Sequence, residues 1–123
     1  MQALRVERLT DDLSGVTLAE IPAPVRAPGE VLVQVRAASL NYPDLLMTRG
    51  EYQFKPEPPF TSGLEFAGEV LEADPESGLT PGDRVMGGNK TGAFAERACV
   101  PADKLSMMPQ GMDFPTAAAM GAA

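Results

Sequence analysis

A mainly β fold, a barrel or sandwich with brief helices, is what this sequence predicts, and three observations predict it. Short runs of alternating or apolar residues recur along the chain, each ended by turn residues. Twelve prolines and twelve glycines punctuate 123 residues, a density that leaves no room for long helices. Helical patterns are confined to two short stretches.

The elements follow in order. Residues 3–8 alternate, and residues 16–21 resume after a polar turn at Asp11-Asp12. Pro22, Pro24 and Pro28-Gly29 interrupt the chain before residues 31–39, VLVQVRAAS. There Val31, Val33 and Val35 share one face, with Gln34 and Arg36 opposite. Residues 43–49, PDLLMTR, are long enough for about two helical turns, with Pro43 at a permitted first-turn position. Pro56-Glu57-Pro58-Pro59 reads as a stiff loop feeding a strand at 64–73. Further strands are expected at 83–87, 93–100 and 105–108. Residues 113–123 open a second helix, with Asp113 as N-cap and a run of alanines behind it.

Composition narrows the function. The length points to one domain, residues 1–123. Seventeen acidic against ten basic residues give a net charge of −7, which disfavours nucleic acid and anionic membranes as partners. The opening MQALRVERLTDD is charged and is not expected to be a signal peptide, and no apolar run is long enough to span a bilayer. One cysteine, Cys99, excludes an intrachain disulfide and fits a cytoplasmic protein. Histidine is absent, which removes the commonest general base and metal ligand. Neither a dinucleotide-binding glycine motif, a P-loop nor a nucleophile elbow is present.

Three segments could carry chemistry. Asn41-Tyr42-Pro43-Asp44 follows a strand, where active-site residues gather, though Asn and Asp also serve as turn and helix caps. Tyr52, beside Gly50-Glu51, could stack on a flat ligand or plug the core as a half-buried aromatic. In TSGLEFAGEV, residues 61–70, strand alternation puts Glu65 and Glu69 on one side. A buried carboxylate there needs a partner, and Arg49, Arg84 and Arg97 are the candidates. Cys99 reads as a structural thiol, because no histidine is available to activate it.

Taken in order, VLVQVRAASLNYPDLLMTRGEYQ, PPFTSGLEFAGEVLEA, GDRVMG, GAFAERACVPADKL and MPQGMDFPTAAAM resemble the N-terminal catalytic domain of the medium-chain dehydrogenase/reductase superfamily. The resemblance is nearest to its zinc-free NADPH:quinone oxidoreductase branch. It implies a GroES-like distorted β-barrel with short helices, followed by a nucleotide-binding domain. Zinc-dependent members carry a histidine within Gly-His-Glu and a cysteine in the loop matching Asn41–Asp44; here those positions read Gly63-Leu64-Glu65 and Asn41-Tyr42-Pro43-Asp44. No metal is therefore expected, and Glu65 is expected to hold a hydrogen bond inside the barrel. The resemblance implies catalytic roles for Asn41 and Tyr52, and places Asn41, Tyr42, Asp44 and Tyr52 beside the nicotinamide of NADPH. The acceptor it implies is a quinone or another conjugated carbonyl.

The nucleotide-binding domain is expected beyond Ala123, so this chain alone is not expected to bind NADPH firmly or to turn over. A homo-oligomer is expected, with Met107, Met108, Met112, Phe114 and Met120 forming an exposed apolar patch. Two other readings stand beside this one: an enoyl reductase of the same superfamily, and a stand-alone GroES-like binding module without redox activity.

Overall fold

The computed structural model describes residues 1–120. The final part of the helix expected over residues 113–123 lies outside the described residues. Eight strands form two sheets. The first, in order β2-β1-β4, pairs β1 (Gln2–Val6) antiparallel with β2 (Val16–Glu20) and with β4 (Phe60–Thr61). The second contains β3 (Glu30–Ser39), β5 (Glu65–Glu72), β6 (Arg84–Gly88), β7 (Arg97–Pro101) and β8 (Leu105–Met107), in order β7-β3-β5-β6-β8 and antiparallel throughout. An isolated bridge, Ala3 to Ala95, joins the sheets, so the expected mainly β architecture forms as two linked sheets rather than one closed ring.

The long strand β3 is the spine of the second sheet. Val31 and Val33 are fully buried, with Phe66, Val70, Val85, Ala98 and Val100 around them. Each of these valines and the phenylalanine stabilises the fold by about 2 kcal/mol when removed from water. Between Val35 and Ala37 the register with β5 slips, which ends the alternation read from the sequence. Gly68 permits this contact, because a Cβ there would lie 2.1 Å from the Gln34 carbonyl oxygen.

Two helices, α1 (Tyr42–Arg49) and α2 (Phe114–Met120), pack against the sheets. Met47 of α1 packs with Val6 and Phe60, and Tyr52, Phe54 and Leu64 lean on the same cluster. Gly50 ends α1 in the left-handed region, with φ 71°. Asp113 caps α2 as expected, its Oδ1 accepting the Thr116 N–H at 2.8 Å. Ala117 and Ala118 of α2 press onto Ala67, so β5 is buried on both faces at its centre.

The packing of α2 corrects one expectation. Met108 is buried, and Met112 and Phe114 are only partly exposed because they pack against the α2 cluster. Of the expected patch only Met107 and Met120 are exposed. Two 3-10 turns, Pro75–Ser77 and Ala102–Lys104, were not visible in the sequence; the second sets the start of β8. Among the described residues no helix is long and apolar enough to cross a membrane.

Candidate active site

A cavity of about 620 Å³ opens where the chain after α1, the start of β5, the end of β6 and helix α2 meet. Its apolar lining is Met47, Phe54, Leu64, Met86, Ala117 and Ala118. Gly87 and Gly88 lie on its wall, and a Cβ on Gly88 would stand 2.0 Å from the Leu64 carbonyl oxygen. That wall is therefore bare backbone, against which a planar ring can lie. The polar lining includes Tyr52, Glu65, Asn89 and Ser106, with Lys90 and Lys104 on the exposed rim.

Glu65 explains itself through the register. Ser39, at the end of β3, pairs directly with Glu65, and its hydroxyl donates to Glu65 Oε2 at 3.3 Å. Asn41 Nδ2 donates to the same Ser39 Oγ at 3.3 Å. A short polar chain, Asn41–Ser39–Glu65, thus runs from the loop before α1 to the cavity wall. The expected arginine partners are corrected: Arg49 lies 3.9 Å from Glu51, Arg84 stacks on the Phe114 ring and donates to the Met112 carbonyl, and Arg97 is exposed on β7. The carboxylate that does take an arginine is Glu69, paired with Arg36 across the sheet at 2.7 Å. The expected hydrogen bond of Glu65 is present, but its donor is a hydroxyl.

Asp44 sits behind this chain, 3% exposed. Its Oδ2 accepts the Asn41 N–H at 2.8 Å, which fixes the loop at the entry to α1. Its Oδ1 is buried and has no partner among the described residues. Burial pushes the Asp44 carboxyl above the usual aspartate range and the Glu65 charge pushes the same way, while the Asn41 N–H opposes both.

Tyr52 thus stands on the cavity wall, and Asn41 reaches that wall through Ser39. Asn41, Asp44 and Tyr42 are not lining residues themselves, and Tyr42 is 68% exposed. Lys90, Lys104, Ser106, Phe54 and Ser39 were not singled out from the sequence. Among the described residues no three His, Cys, Asp or Glu side chains converge as a metal site. Leu64, where zinc-dependent members have histidine, gives the wall an aliphatic side chain.

The alcohol dehydrogenase GroES-like domain family matches residues 27–110, and the chain belongs to that family. Quinone oxidoreductase-like protein 2 of Mus musculus is 39% identical over 107 residues, covering 85% of this chain and 30% of that protein. A crystal structure described as a probable oxidoreductase from Mycobacterium abscessus superposes with a TM-score of 0.94 at 41% identity, covering 98% of this chain and 38% of the other. The quinone oxidoreductase of Thermus thermophilus, whose crystal structures include a complex with NADPH, gives a TM-score of 0.82 at 34% identity over 97% of this chain and 36% of its own. The chain therefore spans about a third of the proteins it matches.

Proposed function

We propose that this chain is the catalytic-domain portion of an NADPH-dependent quinone or enone oxidoreductase that works without zinc. One observation carries the proposal: a largely apolar cavity with two glycines on its wall, lined by the polar side chains of Tyr52 and Glu65, with Glu65 held from behind by Ser39 and Asn41. Its volume, about 620 Å³, suits a nicotinamide ring lying against a flat acceptor. NADPH, when bound, supplies the hydride.

The residues of this chain position and exclude. The Gly87-Gly88 wall and Met86 hold a planar ring by contact, and Met47, Leu64 and Ala118 keep water from its faces. The Tyr52 hydroxyl is available to donate to a carbonyl oxygen. The Asn41 amide keeps Ser39 aimed at Glu65, so the Glu65 carboxylate is held in one orientation. Asp44 positions Asn41 by accepting its backbone N–H. With Asn41-Tyr42-Pro43-Asp44 and Gly63-Leu64-Glu65 at the positions used by zinc-dependent members, no histidine or cysteine is available there, a donor set poorly matched to zinc.

The test uses the complete protein that carries this chain. NADPH oxidation is followed with 1,4-benzoquinone and with an aryl enone, with and without a chelator. Oxidation that survives chelation is expected. No oxidation with either acceptor, or activity that vanishes with the metal, overturns the proposal.

A further inference from the structure

Lys90 and Lys104 are the cationic groups of the cavity wall, and the fold brings them together from distant sequence. Strand β6 ends at Gly88, two residues before Lys90, and β8 begins at Leu105, one residue after Lys104. Gly87 pairs with Leu105, so both lysines leave the same end of the β6–β8 pair. Gly87 makes that crossing close, since a Cβ there would lie 2.1 Å from the Lys104 carbonyl oxygen. Neither ammonium has a carboxylate within ion-pair distance among the described residues, in a chain with seventeen acidic residues. Lys90 is also held at the cavity: its Nζ lies 5.0 Å from the centroid of the Phe54 ring, another wall residue.

Glu65 lines the same cavity, and its carboxylate is already hydrogen-bonded. It takes the Ser39 hydroxyl on β3, whereas the lysines flank β6 and β8 on the other side of β5. The cavity is therefore polarised, with positive charge on its exposed rim and a hydrogen-bonded carboxylate at the β3 side. Against a net charge of −7, such a rim is a local exception to the field of the chain.

We infer that the acceptor used at this site carries an anionic group, a carboxylate or a phosphate, which Lys90 and Lys104 hold at the rim while its uncharged conjugated end lies among the apolar wall residues. The inference rests on the proposed reading of the cavity as an acceptor site. It selects, within conjugated carbonyl compounds, those with an acidic tail.

The experiment uses a pair of flat probes that differ in charge alone, anthraquinone-2-carboxylate and anthraquinone-2-carboxamide, with the complete protein. Binding is measured by calorimetry and reduction by NADPH oxidation, for the wild type and for Lys90→Met, Lys104→Met and the double variant. The carboxylate is expected to bind about fivefold to tenfold tighter than the amide, the range two partly exposed charge contacts provide. That ratio should fall towards one in the double variant and in high salt. Equal binding of the two probes by the wild type, or a preference that survives in the double variant, overturns the inference. Charge-selective binding without reduction of either probe supports the anion site and counts against the proposed redox function instead. A phosphate-bearing naphthoquinone tighter than the carboxylate assigns the rim to phosphate, and the reverse order assigns it to carboxylate.

Discussion

Replacing Asp44 separates its two tasks. One carboxylate oxygen accepts the Asn41 N–H at 2.8 Å, and the other is buried with no partner among the described residues. Asp44→Ala removes the acceptor and leaves a part-buried backbone N–H unpaired, at a cost of about 1–2 kcal/mol. Asp44→Asn keeps an oxygen for that N–H and removes the charge, so it should be more stable than the alanine variant by about 1 kcal/mol at neutral pH. The pH dependence gives the sharper reading. Because burial raises the folded-state pKa of Asp44 above 3.8, the folded chain binds more protons than the unfolded one from that value upward. The contribution of Asp44 to stability therefore falls as pH rises through that window. Urea unfolding between pH 4 and pH 7.5 should show the asparagine variant gaining on the wild type as pH rises. If asparagine is as damaging as alanine at every pH, or the wild type gains on it with rising pH, Asp44 has a partner that this account does not give it.

Three further outcomes are expected. Gly88→Ala puts a methyl 2.0 Å from the Leu64 carbonyl, so β5 and β6 must part; a loss of about 1–3 kcal/mol in urea unfolding and a weaker acceptor KM should follow together. Asp113→Ala removes the cap of α2 and should lower the thermal unfolding midpoint. The Thr116 hydrogen bonds hold the Asp113 carboxyl below the usual range, so that loss should be present at neutral pH and fade as acid protonates the carboxyl. Leu40, Tyr42, Met107 and Met120 are exposed apolar side chains, and light scattering of this chain at high concentration should show self-association; a monomer at every concentration would refute it.

What was legible in the sequence was whatever depended on neighbours in sequence. The shared face of Val31, Val33 and Val35, Asp113 as N-cap and the helix after Pro43 all follow local rules, and all are present, though Leu32 is buried as well. Strand β4 has two residues and exists because Val6 pairs with Phe60, so no periodicity could show it. The strand expected over residues 93–100 starts only at Arg97, because Phe94 accepts from Leu4 and Ala95 bridges Ala3 in the other sheet. The site divides in the same way. Tyr52 and Asn41 stand out from their own loops and the resemblance gives them roles, whereas Ser39 as the partner of Glu65 is a matter of register between β3 and β5. Lys90 and Lys104 meet only through the pairing of β6 with β8, a relation with no mark in either segment.

The most direct test of the central reading is a crystal structure of the complete protein with NADPH bound. The nicotinamide ring should lie in this cavity, in contact with Tyr52 and the Gly87-Gly88 wall at about 4 Å or less, with no metal ion between Asn41 and Glu65. A nicotinamide seated elsewhere, or a metal bridging those two side chains, would contradict it.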